Sequence, residues 1–329
     1  MGMGAGDCDG DTVCGEALMP RRRDEMVPDA EFRSYYGQPV IKQPIWHEPH
    51  MPTYLYLGGL SGAAGAMAAA ARLTGRDRLE LAARMTAFAG ASAGAAFLVA
   101  ELGRPMRFLN MLRVFKLTSP MSVGSWTLAA HSGLTGVAAG SAVTGLLPLA
   151  GDAASVASGL SGVAMATYTA VLLADTAVPA WHEGMRELPF LFSGSALASA
   201  GAAVMLTTPR AQAGPARAAA AAGAVAEVVA GGLMERRLGL VGEPYRTGRA
   251  GRLMRASRVL TLGGGLLATV AGRSRALTAL SGLAITAGAL CTRFGVLEAG
   301  RASAKDPKYT VVPQRDRLDA GHPASVPGR

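Results

Sequence analysis

The sequence predicts an all-α integral membrane protein: a bundle of eight transmembrane helices with both termini on one side of the membrane, which we expect to be the cytoplasmic side. Charged residues make up only 17% of the 329 residues, against about a quarter in soluble domains. Many of the 43 glycines fall with alanine in long apolar runs, as in closely packed membrane helices. The runs alternate with short polar segments, and this pattern argues against a soluble enzyme.

Eight apolar runs predict the membrane spans, because a helix needs about 20 residues to cross a bilayer core of about 30 Å. In chain order the runs are Thr53–Ala71, Met85–Ala100, Leu117–Gly151, Ala153–Ala174, Leu188–Pro209, Ala218–Met234, Val259–Gly272 and Ala276–Thr292. The third run begins with a loop, and its span ends near Leu147. The seventh is the shortest and must extend into flanking residues such as Ala256 and Ser257. A water-soluble helical bundle is the alternative, and eight runs with so little charge argue against it.

The polar segments predict the domain limits and the orientation. We expect a polar N-terminal tail over 1–44, the transmembrane domain over 45–300 and a polar C-terminal tail over 301–329. The two tails and the loops on their side carry three quarters of the 32 Lys and Arg residues, which predicts cytoplasmic termini. The net charge of +9 then reflects orientation and contact with lipid and partner proteins. A nucleic-acid partner is not expected, because no motif supports one.

Ionisable side chains inside a bilayer are costly, so each is a candidate functional residue. Glu101 ends the second span, His131 lies within the third and Glu227 lies in the middle of the sixth. A His and carboxylates in neighbouring spans can relay protons, since His titrates near neutral pH. We therefore take these three as proton-relay candidates. A structural role remains the alternative, as a satisfied core histidine or a carboxylate bonded to a neighbouring helix.

Ligands for metals and haem are sparse. The three cysteines, Cys8, Cys14 and Cys291, form no CxxC pair, so we expect no metal site and no iron–sulfur cluster in this chain. Only His131 of the five histidines lies well inside a span. Haem held between paired histidines is therefore not expected either.

Short motifs are distributed along the chain from about Glu31 to Leu318. They are Ser34–Lys42 before Trp46, Pro52–Gly59, Glu101–Pro105, Thr118–Trp126, Tyr168–Asp175 with Trp181, Arg293–Val296 and Ala299–Tyr309. Through these motifs the sequence resembles the NrfD-like membrane subunits of polysulfide-reductase-type oxidoreductases. The resemblance implies an eight-helix membrane bundle, in agreement with the eight apolar runs.

The resemblance also implies a function in the cell membrane. A subunit of this kind carries no redox centre and is not catalytic alone. It reacts with a diffusible quinone, menaquinone or ubiquinone, and exchanges electrons with an iron–sulfur ferredoxin-like subunit and a molybdopterin oxidoreductase subunit, which can be formate dehydrogenase-like. The substrate of the complex and the direction of electron flow stay open. The alternative is a proton-translocating or transporter-like bundle without a redox role.

The quinone site that the resemblance implies is built from the approach to the first span and from the first spans. The residues at those positions are Trp46, His47, His50, Tyr54, Tyr56, Arg104 and Arg107. Quinone reduction needs protons at the carbonyl oxygens, which a His, a Tyr or a carboxylate can supply. A Trp offers the ring a stacking surface. For Trp46 and Tyr54 the alternative is an interfacial aromatic belt.

Overall fold

A computed structural model of the protein describes residues 40–319. Most of the predicted N-terminal tail, residues 1–39, and the end of the C-terminal tail, residues 320–329, lie outside the described residues. All the described residues belong to one unit, Ser34–Arg329. Within 40–319 the regular structure is entirely helical.

The α-helices of the described residues are α1 (His50–Leu73), α2 (Asp77–Glu101), α3 (Met106–Met111), α4 (Pro120–Thr144), α5 (Pro148–Ala174), α6 (Pro179–His182), α7 (Leu188–Thr207), α8 (Gly214–Arg237), α9 (Glu243–Arg246), α10 (Gly248–Val270), α11 (Arg275–Lys305) and α12 (Lys308–Asp319). Two short 3₁₀ helices cover Gly239–Gly242 and Ala271–Arg273.

Each predicted span falls on one of the long helices α1, α2, α4, α5, α7, α8, α10 and α11. Five of these helices, α2, α5, α7, α8 and α11, are long and apolar enough to cross a membrane. The protein is therefore a multi-pass membrane protein, as the sequence predicts. The other three are of similar length, and α10 begins with four arginines in its first three turns. The count of eight spans and the side of the termini stay predictions.

The long helices pack in two groups of four. In the first group, α1 packs against α2 and α5, and α4 packs against α5. In the second group, α7 packs against α8, and α10 packs against α11 and α8. Helix α1 also contacts α7 and α11, and thereby joins the groups. The close approach of α1 and α5 depends on glycine, because a Cβ on Gly62 would lie 2.4 Å from the carbonyl oxygen of Gly162.

The end of α2 and the start of α4 bring polar side chains to the same end of the first helix group. Helix α2 ends at Glu101, and Gly103 follows with φ of 68°, a backbone conformation that favours glycine. Helix α4 begins at Pro120, and the side chain of Ser119 accepts a hydrogen bond from the backbone N–H of Ser122 at 3.4 Å. The short helix α3 (Met106–Met111) lies between these two ends in the chain.

Candidate functional site

A cavity of about 280 Å³ lies between the ends of α1, α2, α4 and α5, with α3 and residues 45–47 at its sides. Half of the lining residues are Met, Leu or Ile. Its polar and aromatic side chains are Trp46, His47, Tyr54, Glu101, Arg107, Ser125 and Tyr168. An apolar cavity with a few convergent polar groups is typical of a small-molecule site. We call it the end cavity.

Glu101 is the carboxylate of the end cavity, and two histidines surround it. Its Oε1 accepts a hydrogen bond from the backbone N–H of His47 at 2.8 Å and lies 3.2 Å from Nδ1 of the same residue. Nδ1 of His50 lies 3.7 Å from Oε2 of Glu101, which is too long for a hydrogen bond. Oε2 is therefore buried without a hydrogen-bond partner among the described residues. A ligand in the cavity would find an unoccupied acceptor or a proton donor at this atom.

The segment that leads into α1 is held from the second helix group. The carboxylate of Glu48 binds Arg249 and Arg301, each at 2.9 Å, and Arg301 also donates to the carbonyl oxygen of Trp46. The ring of Trp46 stacks on that of Trp181. These contacts fix the position of Trp46 at the cavity wall.

A tyrosine pair forms another part of the wall. Tyr54 of α1 and Tyr168 of α5 both line the end cavity, and their phenol groups interact with each other. The ring of Tyr168 occupies space left by Gly124 of α4, since a Cβ there would lie 1.8 Å from the ring. The missing side chain of Gly124 therefore determines where Tyr168 stands.

Three residues predicted for the quinone site, His50, Tyr56 and Arg104, are not part of the wall of the end cavity. His50 reaches it only through its contact with Glu101. Tyr56 faces Thr286 and Ser199 in the second helix group. Residues two apart in a helix point in nearly opposite directions, so Tyr54 and Tyr56 do not share one cavity. Arg104 is exposed and is not part of the cavity wall. Glu101 contacts His47 and His50 instead of Arg104.

His131 lies deeper in the first group and is fully buried. Its Nε2 is 3.0 Å from the hydroxyl of Ser61, and its Nδ1 is 3.0 Å from the hydroxyl of Ser161. Ser61 donates its proton to the carbonyl oxygen of Ala87 at 2.6 Å, so it accepts from Nε2. This arrangement suits a neutral imidazole with its proton on Nε2. Both ring nitrogens thus have partners.

Glu227 lies in the second group, apart from the end cavity. It is buried on α8 and accepts a hydrogen bond from the hydroxyl of Thr292, which lies 2.5 Å from that of Ser257. The guanidinium of Arg293 is also buried and attracts the Glu227 carboxylate. Oε2 of Glu227 and two nitrogens of Arg293 have no hydrogen-bond partner among the described residues. The three relay candidates are therefore distributed over both helix groups.

The sequence did not lead us to predict Tyr168, Gly124 and Trp181 as residues of the site. All three lie in the motifs that carry the family resemblance, Tyr168–Asp175 with Trp181 and Thr118–Trp126. The motifs were therefore the available signal. Only the packing of α4 against α5 shows why a glycine and a tyrosine occur there together.

The helices and the end cavity first define a class: the chain is a multi-pass α-helical membrane protein with a cavity at one end of a four-helix group. A family model described as polysulfide reductase, of the NrfD-like type, matches residues 32–305. The match covers well over half of the chain, so the chain belongs to the NrfD-like polysulfide reductase family. The family indicates a membrane subunit of a redox complex. No curated protein matches the chain.

Proposed function

We propose that the protein is the quinone- or quinol-interacting membrane subunit of a multi-subunit oxidoreductase. The observation that carries this proposal is the position of Glu101. Its Oε2 lacks a hydrogen-bond partner among the described residues, while His47 holds Oε1 and His50 lies beside Oε2, at the wall of an apolar cavity. An apolar ring with hydrogen-bond acceptors at its edge suits such a cavity.

The side chains of the end cavity suit a quinone in three respects. Trp46, supported from behind by Trp181, offers an aromatic face for stacking. The hydroxyl pair of Tyr54 and Tyr168 offers a hydrogen-bond donor for a carbonyl oxygen. Arg107 brings a positive charge to the edge of the cavity, where reduction would add negative charge. An isoprenoid tail would leave between the Met and Leu side chains of the wall.

Proton transfer follows from the same geometry. The side chain of His47 is 74% exposed, whereas that of Glu101 is 11% exposed, and the two are in contact. His47 can therefore exchange protons with water and pass them to Glu101. Glu101 would then hold a proton for the quinone oxygen, or take one from a quinol. His50 would keep Glu101 oriented from the other side of the carboxylate.

The electrons require partner subunits in this proposal. An iron–sulfur ferredoxin-like subunit would deliver or accept them beside the end cavity, and a molybdopterin oxidoreductase subunit would act on the substrate. Apolar side chains surround this end of the protein; Ile45, Met106 and Leu117 are all largely exposed. An exposed apolar surface of this kind is typical of an interaction site.

The proposal is tested on the assembled complex with a short-chain quinone. Glu101→Gln keeps the size and hydrogen bonding of the side chain but removes the titrating proton. We expect quinone turnover to fall about 10²-fold, the lower range for loss of an acid–base group. Glu243→Gln, at an exposed carboxylate outside the cavity wall, is the matched control and should retain turnover. Unchanged turnover of Glu101→Gln across pH would contradict the proton role.

Proton translocation without redox work is the second candidate. The observation that favours it is the pair of buried polar clusters, His131 with two serines and Glu227 with Thr292 and Arg293. Liposomes that contain this chain alone, loaded with a pH-sensitive dye, distinguish the two. A proton flux that Glu227→Gln abolishes would favour this candidate. We expect no flux above that of empty liposomes.

A further inference from the structure

Arginine recurs at every third position where the chain enters α10. The residues are Arg246, Arg249, Arg252, Arg255 and Arg258. The repeat carries five positive charges over about four turns of chain next to the membrane-embedded part of the helix. Charges at this density need counter-ions, either from the protein itself or from outside.

Carboxylates of the protein neutralise only part of the repeat. Arg249 binds Glu48 at 2.9 Å and lies 3.9 Å from Glu298, and Arg258 binds Glu235. Arg252 and Arg255, which lie between them, are exposed and have no carboxylate partner among residues 40–319. The nearest contact of Arg255 is the neutral carbonyl oxygen of Arg246 at 3.2 Å. Two positive charges within α10 therefore remain uncompensated. Arg246, which precedes the helix, also has no carboxylate partner among residues 40–319 and donates to the backbone carbonyl oxygen of Glu235.

An exposed apolar stripe continues from these two arginines on the same face of α10. The positions 252, 255, 259, 262 and 266 follow the alternating spacing of three and four that keeps residues on one side of a helix. Val259 is 72% exposed, Leu262 39% and Leu266 71%. At 1.5 Å per residue, the stripe from Arg255 to Leu266 measures about 16 Å. That is close to one leaflet of a hydrocarbon core about 30 Å thick.

We propose that this face of α10 binds an anionic phospholipid. The guanidinium groups of Arg252 and Arg255 would hold its phosphate, and Val259, Leu262 and Leu266 would lie along its acyl chains. The two arginines match the phosphate of a lipid, and the apolar stripe that follows them along α10 matches its acyl chains in both chemistry and length. Basic residues at the membrane boundary are a known basis for selecting anionic lipids. Arg249 and Arg258 are neutralised by Glu48 and Glu235, which leaves the two central arginines to the lipid.

The test uses the purified full chain and native mass spectrometry with phosphatidylglycerol and phosphatidylcholine supplied in equal amounts. We expect the chain to retain phosphatidylglycerol in preference. Removal of both charges in the double variant Arg252→Gln/Arg255→Gln should lower this retention by about tenfold or more. The matched control is Arg76→Gln/Arg78→Gln, which removes two exposed arginines at the start of α2 and should retain the lipid. Size-exclusion profiles of both variants report whether the fold is kept.

Two further arms separate a lipid from other anions and from a protein. Inorganic phosphate in excess should leave phosphatidylglycerol bound, because it lacks acyl chains; displacement by phosphate would overturn the proposal. A photo-crosslinker at Leu262 in the cell membrane should capture phospholipid. Capture of a protein chain there instead, or equal retention of both lipids by the unaltered protein, would also overturn it.

Discussion

Trp46 stacks on Trp181, with ring centroids 5.3 Å apart and ring planes at 20°. Trp181 belongs to α6 and is fully buried, and its indole N–H donates to the carbonyl oxygen of Val296 at 2.7 Å. Because Val296 lies in α11, the second helix group supports the wall of a cavity that the first group encloses. A substitution in α11 that moves the ring of Trp181 should therefore also move the ring of Trp46 at the wall of the end cavity.

Gly300 of α11 provides the first prediction. A Cβ at this position would lie 2.0 Å from the ring of Trp181, so Gly300→Ala forces the ring to move. We expect a loss of about 1–3 kcal/mol in the free energy of unfolding, the usual cost of overpacking a core. The displaced ring should also shift the tryptophan fluorescence spectrum. Both quantities are measured on the purified chain in detergent.

Gly232→Ala is the matched control for this prediction. A Cβ at Gly232 would have no atom within 4 Å, although the residue lies in the long helix α8. Alanine is the better helix former, so this variant should be at least as stable as the unaltered protein. Equal losses in the two variants would show that Trp181 is not confined in the way described.

Gly124→Ala tests the tyrosine wall of the end cavity. The new methyl group would meet the ring of Tyr168 and push it from its place beside Tyr54. We expect a short-chain quinone to bind about tenfold more weakly, which corresponds to about 1.4 kcal/mol. The binding constant follows from quenching of tryptophan fluorescence by the quinone. Gly133→Ala on the same helix α4, with open space around the site of the added carbon, should bind as the unaltered protein does.

Hydropathy alone was enough to predict where the long helices lie, because apolar runs must be buried in lipid or in protein. The start of α10 shows the limit of this signal. The seventh apolar run begins at Val259, yet the helix begins at Gly248, since Glu48 and Glu235 neutralise arginines in its first turns. Glu48 and Glu235 are distant in the sequence from the arginines that they bind, so no local sequence pattern indicates these ion pairs. The partners of these arginines therefore could not be predicted.

For the candidate site, too, the sequence predicted the region but not the contacts of every residue in it. The motif around Glu101 and the approach from Trp46 to Tyr54 indicated one region, and the structure brings these residues around one cavity. The surroundings of His131 were not predictable, because Ser61 and Ser161 reach it from two other helices. Whether Glu101, His131 or Glu227 moves protons stays a prediction.

The contact between Glu243 and Lys308 predicts a pH dependence at the C-terminal helix α12. Their charged atoms are 3.0 Å apart. The hydrogen bond from Lys308 lowers the pKa of Glu243 below its ordinary 4.5, and Glu243 raises the pKa of Lys308 above its ordinary 10.5. The contact therefore stabilises the docking of α12 between these two values. It is lost as pH falls through the lowered pKa of Glu243, or rises through the raised pKa of Lys308.

Hydrogen exchange of the amides in α12, measured from pH 3 to pH 7 and corrected for the intrinsic rate, checks this expectation. The extra protection should disappear at the acidic end, and Lys308→Gln should lack it throughout. Lys305→Gln, at an exposed lysine of α11, is the control and should keep the pH dependence. Both charged groups are well exposed, so salt should weaken the effect. A pH-independent protection in the unaltered protein would contradict this account.

Glu227 and Arg293 are buried groups of opposite charge that attract each other, although no hydrogen bond joins them among the described residues. Glu227→Gln removes the attracting carboxylate from the buried guanidinium of Arg293, which donates to the carbonyl oxygen of Phe192 and lies over its ring. We expect this variant to lose about 3–5 kcal/mol in the free energy of unfolding, as when one partner of a buried pair is removed.

The double variant Glu227→Gln/Arg293→Gln removes both charges and should recover part of that loss, because no unpaired charge remains in the interior. Glu187→Gln, which breaks an ion pair with Arg237 nearer the surface, is the control and should cost about 1 kcal/mol or less. Denaturant unfolding of the unaltered protein, of the single variants Glu227→Gln and Arg293→Gln and of the double variant gives the coupling energy between the two sites. Additive losses in the double variant would mean that Glu227 does not carry the counter-charge of Arg293, and that the buried cluster is held by the hydroxyl chain of Ser257 and Thr292 alone.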